Sequence, residues 1–205
     1  MKNRLKLKSD RRGVAVLEFT LASMVLIPLL LGTFVFGFKL IRALQMQQIT
    51  RDLGHMYVRG INFRAQGSIQ VAQSLASAFQ LTSGGTSEVL LSKVSVVQQA
   101  DCDAGNPSSP AGTACANLNQ PAFLERLILG NSGLSSSLFG TPPLQSDQTV
   151  SQADRANTGS AQAQGFASIL SLKAGEVAYI AEMVNYTPDL NFTGAKPLIY
   201  ARSIF

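Results

Sequence analysis

Histidine and cysteine are nearly missing from this sequence: His55 is the one histidine, and Cys102 and Cys115 are the only cysteines. The cysteine spacing matches no zinc pattern. His55 has Met56 and Tyr57 beside it but no nearby cysteine or carboxylate cluster, so a packed or interfacial histidine is expected rather than a catalytic base. No glycine-rich phosphate loop, nucleophile elbow or metal-binding cluster occurs. Two carboxylate pairs, Asp101 with Asp103 and Glu176 with Glu182, are accounted for by solvated loop and strand positions. The sequence therefore predicts no cofactor, no metal and no enzyme. A membrane-anchored hydrolase, its cleft assembled in space from distant residues, is the catalytic alternative.

Charge is also scarce, at 14% of residues, and the mean hydropathy is positive at +0.17. The net charge of +5 sits in one place. Residues 1–13 hold six basic side chains (Lys2, Arg4, Lys6, Lys8, Arg11 and Arg12) and one acid, Asp10. From Val14 onward eleven basic residues meet eleven acidic ones, and beyond Ala65 six meet nine. A nucleic-acid-binding body needs its positive charge on the folded surface, where it can displace counterions. A basic tail beside an apolar run does not supply that, so nucleic acid is excluded as a partner.

What is present in excess is apolar length, concentrated between Val14 and Ile41. Phe19–Phe38 carries no formal charge, and its polar side chains are Thr20, Ser23 and Thr33. A helix of that length spans about 30 Å, the hydrocarbon thickness of a bilayer. Gly32, Gly37 and Pro28 are tolerated in such a helix, although Pro28 should free the Met24 carbonyl and kink it. The six basic residues before the span, against Lys39, Arg42 and Arg51 after it, favour an N-terminus inside and a C-terminus outside.

Beyond the span a helical pattern continues through Leu40, Leu44, Ile49 and Leu53. Gly54 and Gly60 are expected to break or bend it, and Gly67 marks another break. Ser68–Leu81 reads as an amphipathic helix with Ile69, Ala72, Leu75, Ala76 and Phe79 on one side, ended by Ser83-Gly84-Gly85. Val89–Val97, Val177–Tyr186 and Leu198–Phe205 read as strands. Pro121–Leu129 reads as a short helix. Ser132–Gln164, rich in Ser, Gln, Gly, Ala and Asn, is expected to be a long surface excursion. No internal repeat is visible. If this body lies outside the cytoplasm, Cys102 and Cys115 are expected to form a disulfide rather than remain thiols. Closing that loop stabilises by about 3 kcal/mol in the chain-entropy model.

The junction Arg11-Arg12-Gly13-Val14-Ala15-Val16-Leu17-Glu18-Phe19 carries the chemistry. A secretory signal peptide places small residues after its apolar region; here a charged leader and a lone glycine precede it. A protease cutting after Gly13 would act at the cytoplasmic membrane face and leave the helix on the mature chain. Gly13 lets the backbone extend into a protease cleft with no side chain in the way. Glu18 lies one turn inside the apolar run, where an unpaired carboxylate costs several kcal/mol. After such a cut Val14 carries a cationic amine, and Glu18 can pair with that amine of its own chain or of a neighbouring subunit. It also complements the helix dipole. The plainer alternative is an interfacial glutamate that snorkels to water, with Gly13 incidental.

These residues resemble a type IV prepilin processing site. The run Arg12–Phe19, followed by Ile27-Pro28-Leu29-Leu30-Leu31-Gly32, resembles more specifically the TadE-like pseudopilins of tight-adherence (Flp) pilus systems. Glu182-Met183-Val184-Asn185-Tyr186-Thr187-Pro188 is similar to a strand-and-turn ending common in that family. The resemblance covers about the first 60 residues, the final 30 more weakly, and hardly touches the middle. It implies cleavage between Gly13 and Val14 by an aspartyl prepilin peptidase, retention in the bacterial inner membrane, and a minor role in pilus assembly or secretion guided by Glu18 and Phe19. Its implied partners are the peptidase, other pilins or pseudopilins, the inner-membrane assembly platform and the lipid bilayer.

The expected protein is thus α+β: a long N-terminal helix with a membrane-spanning first half, then a small antiparallel β-sheet domain. Its expected divisions are a leader at 1–13, a transmembrane helix at 14–41, an amphipathic helical continuation at 42–82, and an extracytoplasmic domain at 83–205 with a flexible polar insertion at about 131–165. The rival keeps this topology without cleavage, as an uncut signal-anchored envelope protein whose outer domain binds a ligand or partner.

Overall fold

The computed structural model describes residues 11–134, 137–187 and 198–205. The basic residues Lys2, Arg4, Lys6 and Lys8, and Pro188 of the C-terminal motif, lie outside them. The chain is α+β, a long apolar helix followed by a four-stranded antiparallel sheet with short helices. It divides into two compact units, residues 1–42 and 43–205. Helix α1 (Arg11–Val58) begins in the first and ends in the second.

In the first unit α1 carries no charged residue between Phe19 and Phe38. Its 18-residue apolar window has a mean hydropathy of 2.3 and none of it is buried, so the helix is long and apolar enough to cross a membrane. Thr20 and Thr33 turn their hydroxyls back onto the helix, donating to the carbonyls of Val16 (2.8 Å) and Leu30 (2.7 Å). Such internal pairing keeps a hydroxyl satisfied where water is absent. Pro28 lies inside the helix without ending it.

In the second unit the same helix becomes one-sided. Met46, Thr50, Leu53 and Tyr57 are buried, a stripe with helical spacing. The Thr50 hydroxyl donates to the Met46 carbonyl at 2.7 Å. Gly54, expected to break the helix, instead lies within it: a Cβ there would come 2.2 Å from the Phe205 ring and 3.2 Å from Ala181 Cβ. Its small size permits close approach of helix and sheet. The break comes at Gly60, whose φ of +82° suits glycine. Helix α2 (Gln66–Leu75) contains Gly67, which therefore marks no break. A 3-10 turn, Ser77–Phe79, completes the segment expected as one helix. Ala72, Ala76 and Phe79 are buried, whereas Leu75 is exposed.

The strands are β1 (Ser87–Val96), β2 (Pro121–Gly130), β3 (Val177–Tyr186) and β4 (Leu198–Ile204), in the order β2-β1-β3-β4. β1 pairs Val89 with Leu129 on one side and Met183 on the other. One face places Val89, Leu91, Leu127, Leu129, Ala181 and Met183 in a cluster with Leu53, Tyr57, Phe63 and Phe79. The other places Val94, Phe123, Ala178 and Ile180 against Phe139, Val150, Ala161, Ala163 and Phe166. A sheet covered on both faces has little surface left for polar residues, which accounts for the nearly continuous burial of β1 and β3.

Two expectations are corrected here. Pro121–Leu129 is a strand, not a helix. Its apolar run fits either period over so short a length, and a bulge opposite Lys93 and Val94 breaks its alternation. Pro121 stands at the first strand position, where its missing N–H is tolerated. The stretch 132–164 is not a surface excursion. It supplies buried Phe139, Val150, Ala156, Ala161 and Ala163, and helix α4 (Gln152–Asn157). These apolar residues arrive singly between turns, so no periodicity announces them.

Candidate functional site

The residues singled out at the junction all lie on the first turns of α1. Val14 and Phe19 are 60% and 73% exposed, and Glu18 is exposed. Val14 and Glu18 are four residues apart in a continuous helix, so they stand on one face, separated by about 6 Å of rise. Among the described side chains, none forms a hydrogen bond or ion pair with Glu18. A Cβ added at Gly13 would meet nothing within 4 Å, and the same holds at Gly32 and Gly37. Glycine in a helix costs roughly 0.5–1 kcal/mol relative to alanine. Packing inside this chain gives no compensating reason for these three glycines.

In the second unit, Cys102 and Cys115 form a disulfide with Cα atoms 5.2 Å apart. It ties helix α3 (Gln99–Gly105) to the loop that leads into β2, and Cys102 is buried against Val97 and Ala122. The neighbouring acids are structural rather than merely solvated. Asp101 accepts from the Gln98 backbone N–H at the start of α3 and lies 3.3 Å from Arg155. Asp103 accepts from the Gly112 N–H at 2.9 Å and the Gln99 amide at 3.0 Å. His55 is exposed and its ring meets that of Phe205 at a tilt of 57°, with centroids 4.6 Å apart. Among the described residues, no three His, Cys, Asp or Glu side chains converge as metal ligands.

Glu182 departs furthest from its expected solvated position, being fully buried in β3. Its carboxylate accepts from the hydroxyls of Ser137 (2.6 Å) and Tyr200 (2.5 Å), and from the Leu138 N–H at 3.3 Å. The buried Arg126 guanidinium lies 3.8 Å away. Arg126 in turn donates to Ser92 and Ser137 and to the Gly140 carbonyl, and it stacks on Phe123. Burial pulls the Arg126 pKa down from its ordinary value, against the opposing pull of Glu182 and Glu88. Burial first, and then the Glu182 charge, pushes the Tyr200 phenol up, so it remains a donor. The network joins all four strands to the 137–140 loop and fixes that loop over the sheet.

A second polar cluster opens on the opposite face. Tyr57 donates to Glu125 Oε1 at 2.7 Å, and Arg64 donates to Glu125 Oε2 at 2.8 Å. Lys93 is the direct cross-strand neighbour of both Glu125 and Tyr179. These residues border a cavity of about 200 Å³. Sequence reasoning missed the cluster because Glu125 was assigned to a helix, and only strand register brings it beside Lys93. No family model, curated protein or solved structure matches the chain.

Proposed function

We propose that this chain is a minor pilin or pseudopilin of a tight-adherence (Flp) type IV pilus, or of a related secretion apparatus. In this reading a prepilin peptidase removes residues 1–13. The mature chain stays in the bacterial inner membrane through α1, with its sheet domain on the periplasmic side, and joins other pilins at the assembly platform.

The observation that carries the proposal is an unburied apolar window in α1 together with one carboxylate, Glu18, a single turn from Val14. Lipid satisfies such an apolar surface but not the carboxylate, whose cost in hydrocarbon calls for a partner. Cleavage before Val14 creates a cation within reach on the same helix face. A neighbouring subunit staggered along an assembly presents the same cation. Gly13, Gly32 and Gly37, which this chain's own packing does not require, suit a protease cleft and close helix–helix approach respectively. The disulfide suits an oxidising compartment.

Co-expression with and without a prepilin peptidase tests the reading, with intact-mass analysis of membrane-extracted wild type and Gly13→Ile. Wild type should begin at Val14 only when the peptidase is present, and Gly13→Ile should keep its leader. A chain retaining residues 1–13 under every condition would instead establish the uncut envelope anchor.

A further inference from the structure

The cavity between the end of α1 and the sheet is lined in part by Tyr57, Ile61, Arg64, Lys93, Leu127 and Tyr179, with Glu125 in its wall. Its charges do not balance. Among the side chains that line it, Lys93 and Arg64 contribute two positive charges and Glu125 one negative, leaving one in excess along the lining; Asp147, which Arg64 also attracts, lies outside that lining.

The excess has a structural cause. A lysine directly across from a glutamate in an antiparallel pair is placed to form an ion pair. Here both carboxylate oxygens of Glu125 are already engaged, one by Tyr57 and one by Arg64. Arg64 is held in place at its other end, where Nε donates to the Asp147 carbonyl at 2.9 Å. Among the described residues, no carboxylate lies within 4.0 Å of the Lys93 ammonium. It stands over the Tyr179 ring, 5.7 Å from Nζ to the centroid. The Tyr57 and Tyr179 rings meet edge to face at 5.3 Å, giving the cavity a stiff aromatic wall.

We propose that this cavity binds a small monocarboxylate, with the Lys93 ammonium as its ion-pairing group and Tyr179, Ile61 and Leu127 as its walls. One uncompensated cation suits one carboxylate. A phosphate dianion would bring a second charge toward Glu125, which the single cation does not offset. The volume is below the roughly 300–1,000 Å³ of sites for drug-sized ligands, and fits one ring or one short side chain. The carboxylate can belong to a free sugar acid or to an acidic side chain of a partner protein.

The test is NMR titration of the full-length chain in detergent micelles, following the amides of Ile61, Lys93 and Tyr179. The probes are sodium glucuronate, glucose, inorganic phosphate and an N- and C-terminally capped Gly-Glu-Gly peptide. Glucuronate or the peptide should give saturable shifts at these three amides with affinity on the order of millimolar; glucose and phosphate should not. Saturation by glucuronate alone assigns the source to free acids, and saturation by the peptide assigns it to a protein side chain. Lys93→Met, which keeps most of the stem, should weaken binding about tenfold or more, and Lys93→Arg should retain it. No saturation by either carboxylate, equal response to glucose, or tighter binding of phosphate overturns the proposal, and these wild-type comparisons stand even if a variant fails to fold. Undiminished binding by a folded Lys93→Met overturns it as well.

Discussion

Two glutamates in this chain meet opposite surroundings, and each one characterises its unit. Glu182 is fully buried, and four groups of its own unit surround its carboxylate: Ser137, Leu138, Tyr200 and Arg126. Glu18 is exposed on α1, whose apolar window is unburied, and pairs with none of the described side chains. The sheet domain has internalised its charge and covered both faces of its sheet, so its fold is self-contained. The apolar window of the long helix is unburied among the described residues. In the proposed reading lipid covers that apolar surface and the Val14 amine meets the carboxylate.

Breaking the internal network gives the largest effect. Glu182→Ala leaves Arg126 buried without its counter-charge, and removing one partner of a buried pair costs about 3–5 kcal/mol. Urea unfolding of the sheet domain, followed by tyrosine fluorescence, should register that loss. The double variant Glu182→Leu with Arg126→Met should recover much of it, because removing both charges leaves neither stranded. A double variant as unstable as Glu182→Ala would mean that the hydroxyl and backbone contacts, not the charge pair, set the stability.

The disulfide comes next. Replacing Cys102 and Cys115 by serine should cost about 3 kcal/mol in the chain-entropy model. The comparison needs the same unfolding experiment without reductant. Equal midpoints for the variant and the oxidised wild type would remove the bond from the forces holding α3 to the sheet.

The long helix, the strands β1, β3 and β4, and the cysteine pair were legible because each is a local signal: apolar length, β-branched runs, or two thiols with one another as partners. Glu182 was misread for a physical reason. A lone acid in a strand looks solvated until the residues over it are known, and those come from Ser137 and Leu138 in a stretch that carries no periodicity. Arg126 and Glu125 were hidden by the reading of Pro121–Leu129 as a helix, since on a helix they face neither Ser92 nor Lys93. The Val14–Glu18 relation needed only the helix period, and so it was readable at once.

Alkaline pH separates the units by a smaller amount. Burial, with Glu125 beside it, raises the Tyr57 pKa above its ordinary value of 10.0. Below pH 10 the phenol is protonated in folded and unfolded chains alike, and its contribution is intact. Above pH 10 the unfolded chain releases this proton while the folded one keeps it, so stability falls as pH rises, by about 1.4 kcal/mol per unit for this group. Tyr57→Phe should therefore unfold with a shallower dependence between pH 10 and 11 than wild type. Parallel slopes would show that the Tyr57 phenol does not hold its proton in the folded state.

The smallest effect on stability belongs to the residue on which the proposed function depends most. Glu18→Gln alters an exposed side chain in a unit apart from the sheet domain, so the unfolding midpoint should move by no more than about 0.5 kcal/mol. Leader removal should also persist, because Gly13 and Val14 are untouched. Assembly should nevertheless fail, since an amide cannot neutralise the Val14 amine of its own chain or of a neighbour. Glu18→Asp, one methylene shorter but still anionic, should restore assembly in part. Intact mass, the urea midpoint and recovery in sheared pilus fractions together read these three outcomes on one set of variants. Normal assembly of processed Glu18→Gln would mean that the carboxylate is an interfacial group facing water, and that the uncovered helix is a tether and nothing more.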